Sequence, residues 1–285
     1  MGVEEHLSFP ASWTIERNRK GHEMKRIFGI MLAMAAMVAG FRAEGADAAS
    51  AAAPACQNDK AKSILREAQN RFLAAKTYHM AYRKQTGKML GGITVAFDLT
   101  LKRHGEGGLS LFQNVMTGPM TITQIADRGR LYYLKPGNGK EAAHLKFADS
   151  GMQDVIAQYF TESGTVEMMT ESADAYRIRY RLSDDDKKQI EATLKGTIGA
   201  QLPPEVQPDM FEYVFGTSDF QLKEMNILNT SKQVVEKTII DKLELDAVVD
   251  ESKFKLPAGC SVKTANTLQE LAAIQKAWLA EGSAR

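Results

Sequence analysis

The stretch that decides the fold is Gly92–Arg103, with the sequence GITVAFDLTLKR. Its large apolar residues occupy every second position, and these are Ile93, Val95, Phe97, Leu99 and Leu101. Strict alternation over five apolar residues is typical of an antiparallel β-strand with one buried face. We therefore predict a sheet in which this strand turns its apolar side towards a core.

Further strands are predicted on both sides of this stretch, separated by turn residues such as Gly105, Gly107 and Gly108. They start at Tyr78 and continue over 109–116, 119–126, 130–135, 165–170, 175–182, 211–215, 219–229 and 232–246, with an extended segment at 254–262. Helices are predicted over 59–76 and 147–161, and after the capping residues Ser183 and Thr267. With no internal repeat or interdomain linker, this order predicts a single α+β domain.

The N-terminal segments are predicted to precede the folded domain. Residues 1–23 are interpreted as a start-site extension upstream of Met24, and residues 24–48 as a signal peptide. The signal contains Lys25 and Arg26, an apolar run over 27–40 and the small residues Ala46-Asp47-Ala48 at a cleavage site. Residues 49–58 are an Ala/Pro-rich leader that we expect to be disordered, and 59–285 form the single domain. This organisation predicts an exported protein; the alternative is that the apolar run is a buried or membrane-anchoring helix.

Charge and cysteine content exclude several classes of protein. The chain has 36 Lys+Arg and 35 Asp+Glu, a net charge of +1, which offers no electrostatic basis for a nucleic-acid partner. Its two cysteines, Cys56 and Cys260, cannot build a disulfide-dense scaffold or a four-cysteine zinc site. In an exported protein such a pair is more often a disulfide, which we predict; two free thiols and acylation of Cys56 are the alternatives.

Motifs for catalysis or metal binding are not found in the sequence. His79, His104 and His144 have no metal-ligand spacing, and no nucleophile elbow, phosphate loop or dinucleotide fingerprint occurs. The run Asp184–Asp186 lacks calcium-loop spacing and fits the start of a helix. We therefore predict no enzymatic activity, no cofactor and no metal site. An enzyme with an unrecognised site is the least supported alternative.

Large flexible apolar residues are abundant along the predicted strands. Methionine in particular adapts to irregular apolar partners such as acyl chains. We predict a lipid-binding cavity lined by Val95, Phe97, Leu99, Phe112, Met116, Ile122 and Tyr133. The alternative for each of these residues is a core filled by helices.

A basic stripe is formed by Arg177, Arg179 and Arg181, which alternate with the apolar residues of one predicted strand. It has two interpretations, the solvated face of a strand or a docking face for anionic headgroups or an acidic partner.

Two segments resemble the LolA/LolB-like superfamily of periplasmic lipoprotein carriers. Asp127–Leu134, DRGRLYYL, resembles the family's D-G-k-x-L-w-x-y hairpin, and Asp250–Gly259, DESKFKLPAG, resembles its D-x-x-x-F-x-x-P-x-G segment. The resemblance covers about residues 59–262. It implies a curved antiparallel sheet that forms an open (half) β-barrel covered by α-helices.

The resemblance also implies a function. Members of this kind are chaperones of lipoprotein transport, so we expect a carrier or binding protein that shields lipoprotein acyl chains or other lipid, of the outer-membrane lipoprotein-sorting type. Relatives with the same fold act as envelope sensors, and the alternative is therefore an interaction module that binds a membrane-anchored envelope protein. We expect a monomer with no cofactor and no nucleic-acid partner.

Overall fold

The computed structural model describes residues 55–87, 92–104, 109–118, 120–127, 130–137, 139–145, 164–188 and 207–282. These residues contain helices α1 (Ala55–Ala74) and α2 (Leu268–Gly282), a helical segment at 184–188 and a 3-10 turn at Glu251–Phe254. The strands are β1 (Thr77–Thr86), β2 (Thr94–Arg103), β3 (Leu109–Thr117), β4 (Met120–Asp127), β5 (Arg130–Leu134), β6 (Glu141–Leu145), β7 (Thr165–Glu171), β8 (Ala175–Arg181), β9 (Pro208–Gly216), β10 (Leu222–Asn229), β11 (Val234–Leu245) and β12 (Ser261–Ala265). The predicted N-terminal extension, the signal peptide and the helix over 147–161 lie outside the described residues.

The twelve strands form one sheet in the order β12-β6-β5-β4-β3-β2-β1-β11-β10-β9-β8-β7. Neighbouring strands are antiparallel, except that β12 pairs in parallel with β6. Within the described part of the chain, β12 and β7 are the two edges, so the sheet is not closed.

The sheet is curved around a single apolar core. Twelve flat strands would span about 50 Å, since neighbours lie about 4.8 Å apart. Nevertheless Leu145 and Ala265, near one edge, belong to the same buried cluster as Val166 and Ile178, near the other edge. Both helices contribute to this cluster on the concave, inner face of the sheet. The predicted fold class, an α+β open half-barrel covered by helices, is therefore confirmed.

The alternation in β2 establishes which side of the sheet is inner. Val95, Phe97, Leu99 and Leu101 are all at most 3% exposed. Phe97 lies opposite Tyr82 of β1, and the two rings stack with centroids 4.5 Å apart. The predicted strand over Gly92–Arg103 begins two residues later, at Thr94, and its predicted buried face is confirmed.

The helices begin where the sequence predicts capping, with one difference. The Thr267 hydroxyl accepts the Glu270 amide at 3.1 Å, and the Glu270 carboxylate accepts the Asn266 amide at 2.7 Å. Helix α1 starts at Ala55, inside the segment predicted as a disordered leader. Its apolar ridge covers the inner face, as expected from its spacing, through Ala61, Ile64, Leu65, Ala68 and Phe72.

A segment that we call the strap, residues 250–260, crosses the outer face of the sheet. Asp250 caps its 3-10 turn by accepting the Ser252 amide at 2.9 Å, and Phe254 is buried. The strap residues Leu256 and Cys260 pack against an outer cluster formed by Phe112, Ile125, Leu134 and Ala142. The strap is the segment that carries the F-x-x-P-x-G pattern, so this pattern covers outer apolar surface.

Candidate binding site

Five of the seven residues predicted to line a cavity lie together on the inner face: Val95, Phe97, Leu99, Ile122 and Tyr133. Cross-strand pairing places them there, since directly opposed residues share a face. Each is at most 9% exposed and belongs to the core cluster that includes both helices. In the structure they are packed core.

Phe112 and Met116 lie on the outer face, which corrects the prediction that all seven share one surface. In β3 the residues that pair with the inner face of β2 are Leu111, Gln113 and Val115, so Phe112 and Met116 point the other way. Phe112 packs beneath the strap, with the Lys253 ammonium 5.7 Å from its ring centroid.

A cavity of about 430 Å³ opens between the C-terminal half of α1 and the inner face of the sheet. Most of its wall is apolar and comes from α1, β1, the start of β10 and β11, through Phe72, Met80, Leu222, Ile240, Leu243 and Leu245. Arg71, Asp219 and Asp246 provide polar groups at its boundary. None of the seven predicted lining residues is among those that line this cavity.

A β-bulge explains why β11 gives the cavity so much apolar surface. Ile240 pairs with Tyr82 and Leu243 pairs with Met80, although the two β11 residues are three apart. The extra residue in β11 breaks the alternation between them. Ile240 and Leu243 consequently face the same side, and a simple two-residue period would have placed them on opposite sides.

Backbone strain is concentrated at the same cavity. Phe220 and Asp246 both line it, and both have positive φ, at 52° and 53°. Bulky residues rarely adopt this left-handed conformation, because it costs about 1–2 kcal/mol. Phe220 is retained there by its neighbours: its amide donates to the Gly216 carbonyl, and its ring stacks on Tyr176 with centroids 5.9 Å apart.

Arg71 joins α1 to this strained turn. Its Nη1 donates to the Asp219 carbonyl at 3.0 Å, and its guanidinium carbon lies 5.0 Å from the Phe220 ring centroid. Its Nε donates to Glu67 one helical turn earlier, at 2.6 Å. The rim of the cavity is therefore closed by contacts between a helix and a turn that can separate without breaking the sheet.

A second arginine fastens the end of α1 to the sheet. Arg103, the last residue of β2, donates from Nη1 to the Phe72 carbonyl at 2.8 Å and to the Ala75 carbonyl. Its guanidinium also lies 5.2 Å from the Phe72 ring centroid and 5.5 Å from that of Tyr78. A cation at these carbonyls satisfies groups that the helix leaves without partners.

The basic stripe of β8 is neutralised by acids on the same outer face. Arg177 and Arg179 donate to the two oxygens of Glu212, at 2.5 and 2.7 Å. Arg181 lies 3.3 Å from the Asp209 carboxylate. The Glu212 and Asp209 side chains are only 7% and 3% exposed, whereas Arg177 remains 44% exposed. The stripe is therefore mostly part of an ion-pair network within the sheet.

Cys260 has a free thiol in the structure, and the Cys56 side chain lies outside what the structure describes. Cys260, the last residue of the strap, packs on the outer face of the sheet. Cys56 is in the first turn of α1, one turn before Lys60, whose ammonium bonds Glu171 of the edge strand β7 at 2.5 Å. The predicted pairing of Cys56 with Cys260 therefore stays a prediction.

Two further observations concern the described residues only. None of their helices combines the length and the apolar character needed to cross a membrane. Their His, Cys, Asp and Glu side chains form no group of three or more that could hold a metal ion.

Comparison with known proteins gives structural likenesses. No protein-family model matches the chain, and the search of curated proteins finds no match. One similar structure is an uncharacterized conserved protein from Thermus thermophilus, at 7% identity and a TM-score of 0.43, covering 72% of this chain and 99% of the other. Another is the Pseudomonas aeruginosa MucA/MucB complex, at 11% identity and a TM-score of 0.42, covering 72% of this chain and 64% of the other. A third is a LolA superfamily protein from Nitrosomonas europaea, at 11% identity and a TM-score of 0.29. The match covers 68% of this chain and 97% of the other.

Proposed function

We propose that the protein is an exported, periplasmic carrier or binding protein that shields lipoprotein acyl chains or other lipid from water. The observation that carries the proposal is the apolar cavity of about 430 Å³ between α1 and strands β1 and β11. Its volume lies within the range of roughly 300–1,000 Å³ that is usual for ligand pockets. Binding without catalysis is part of the same proposal.

The chemistry of the wall favours an apolar chain as the ligand. Each methylene removed from water contributes about 0.8 kcal/mol, so complete burial of a chain of 14–16 carbons would contribute roughly 11–13 kcal/mol before ordering costs. Partial burial in this cavity would give proportionally less. Such a free energy, reduced by the loss of motion on binding, is compatible with reversible uptake and release.

The structure of the rim supports the same function. The strained turn at Phe220 and the contacts of Arg71 lie at the boundary of the cavity. Strained backbone is retained at sites that bind or switch, because the surrounding contacts hold it in place. A rim of this kind can move to admit a chain and then close.

A matched pair of variants tests the proposal. Ile240 lines the cavity, whereas its neighbour Ile239 lies on the outer face opposite Arg83. Ile240→Trp fills the cavity and is expected to weaken binding of a fluorescent long-chain fatty acid by at least about tenfold. Ile239→Trp adds the same ring outside and should leave binding within about twofold of the wild type.

Native mass spectrometry of the wild-type protein, purified from the cell envelope, provides the independent measurement. We expect an additional mass that corresponds to an acyl-bearing lipid. A preparation that carries no lipid and does not take up the fluorescent probe would contradict the proposal. Equal binding by the two tryptophan variants would place the ligand elsewhere than in this cavity.

The alternative function, an interaction module for a membrane-anchored partner, receives less support from the basic stripe. Arg177 and Arg179 are already paired with Glu212. An acidic partner would have to compete with a carboxylate that is almost fully buried beside them.

A further inference from the structure

A row of polar side chains crosses the otherwise apolar inner face. Gln113 of β3 pairs with Gln124 of β4, and Gln124 pairs with Tyr133 of β5, so that the three side chains lie on adjacent strands of the same face. They are 7%, 8% and 2% exposed. At one end of the row, the Gln113 amide donates to the Tyr82 hydroxyl at 3.1 Å.

At the other end of the row the hydrogen bonding is incomplete. The Tyr133 hydroxyl has no hydrogen-bond partner in the described part of the structure, and neither has the indole Nε1 of Trp278 in α2. Burial raises the pKa of Tyr133 well above its usual range, so its hydroxyl stays protonated and is able to donate. Buried donors without partners are uncommon in native proteins, because each loses its bonds to water without replacement.

The two unpartnered donors belong to one region of the core. Both are members of the core cluster. Glu281, three residues after Trp278, bonds the Lys135 ammonium at 2.5 Å, and Lys135 is two residues after Tyr133. Because residues three apart on a helix are neighbours, the last turns of α2 lie beside the strand that carries Tyr133.

Helix α2 packs on this region through its side chains. Among those that the structure describes, only Leu271 and Trp278 are fully buried, and Ile274 is partly buried. The strands beneath α2 are joined by backbone hydrogen bonds as well as by side chains, so α2 can open locally at a lower free energy than the sheet. The polar row is therefore covered by an element that can move away from it.

We propose that the row is a second part of the ligand site, which binds the carbonyl group of a lipid ester or amide through the Tyr133 hydroxyl and the Trp278 indole N–H. This inference rests on the proposed lipid-binding function and adds the chemical group that is recognised. Both groups donate, and a carbonyl oxygen with two lone pairs accepts from both at once. Gln113 and Gln124 make the adjacent surface compatible with a polar linkage between apolar chains.

The test compares two lipids that differ at the carbonyl. 1-Palmitoylglycerol carries an ester carbonyl, and 1-O-hexadecylglycerol has a methylene in its place. Each competes with a fluorescent long-chain fatty acid for the wild type, for Tyr133→Phe and for Tyr132→Phe. Tyr132 is the matched control, because it lies next in sequence but on the outer face, 5.2 Å from the His144 ring.

We expect the wild type to bind the ester about tenfold more tightly than the ether. Tyr133→Phe should remove this preference by weakening ester binding alone, and Tyr132→Phe should retain it. Thermal unfolding shows whether Tyr133→Phe folds; we expect no loss of stability, because the substitution removes a buried hydroxyl without a partner.

Each other outcome has a defined meaning. Equal binding of ester and ether by the wild type overturns this inference but leaves lipid binding intact. Retention of the preference in Tyr133→Phe overturns it as well, since the hydroxyl would then only fill the core. Binding of neither lipid contradicts the proposed function itself, and the inference with it.

Discussion

Replacing Arg103 with methionine should loosen the end of α1 and destabilise the whole domain. In the folded protein Arg103 donates to the carbonyls of Phe72 and Ala75 and lies over the rings of Phe72 and Tyr78. Methionine preserves much of the apolar stem but removes the charge and both hydrogen bonds. The carbonyls at the end of the helix then lose a charged donor.

The magnitude follows from these contacts. A hydrogen bond to a charged group contributes about 1.5–3 kcal/mol, and a partly buried cation–π contact about 0.5–2 kcal/mol. Since one nitrogen serves both carbonyls and water can reach the partly exposed site, we expect a loss of about 3 kcal/mol in the free energy of unfolding. For a domain of this size that corresponds to a decrease of roughly 6–12 °C in Tm.

Lys102→Met is the control in the adjacent residue. Lys102 bonds Glu251 of the strap, but their side chains are 30% and 58% exposed, and exposed ion pairs contribute about 0–1 kcal/mol. Urea unfolding followed by circular dichroism measures both variants. If Arg103→Met is within about 0.5 kcal/mol of Lys102→Met, the idea that Arg103 fastens α1 must be abandoned.

Two further predictions concern the network on the outer face and the turn between β10 and β11. Burial acts to raise the pKa of Glu212, but hydrogen bonds from Arg179, Asn226 and Arg177 outweigh it and lower the pKa. The wild type should therefore be about 2 kcal/mol more stable than Glu212→Gln at pH 7. This advantage should disappear as the pH falls below about 4.5 and through the lowered pKa of Glu212 in the folded state. A stability difference that does not change with pH in urea titrations would contradict the prediction. Lys232 has a φ of 61° and is exposed, so Lys232→Gly should raise the free energy of unfolding by about 0.5–1 kcal/mol. The control Ser231→Gly, at a position without positive φ, should not raise it. Equal effects of the two substitutions would show that strain at Lys232 is not the cause.

How far the sequence predicts this structure depends on whether one or both faces of a strand are buried. In β2 the large apolar positions alternate with smaller or polar residues, of which all but the buried Thr100 are exposed or partly exposed, and the predicted face is correct. In β3 the adjacent residues Leu111 and Phe112 are both apolar, because the strap covers the outer face there. The sequence alternation then does not indicate which face of the sheet a residue occupies. The prediction that Phe112 and Met116 are inner residues was wrong for that reason.

Other features depend on contacts between distant segments. Strand β6, with the sequence EAAHL, has too little large apolar surface to be recognised, and its parallel pairing with β12 joins residues more than a hundred positions apart. The cavity combines α1, β1, β11 and the turn before β10, and it depends on a bulge in β11. The two-residue period of β1 does indicate Met80 as an inner residue, which was the available signal for this site.

The two helices that cover the inner face lie over the two parts of the proposed ligand site, the cavity and the polar row. Helix α1 buries Ile64, Leu65 and Phe72 and is held by Arg103, and among the described side chains of α2 the fully buried ones are Leu271 and Trp278. Full burial of a large apolar side chain contributes about 1.5–3 kcal/mol. Movement of α2 away from the sheet exposes the region of Tyr133 and Trp278. A lipid could then place its carbonyl at the row while its chain follows the inner face of β1 and β2 towards the cavity beneath α1, since β3, β2 and β1 are consecutive in the sheet.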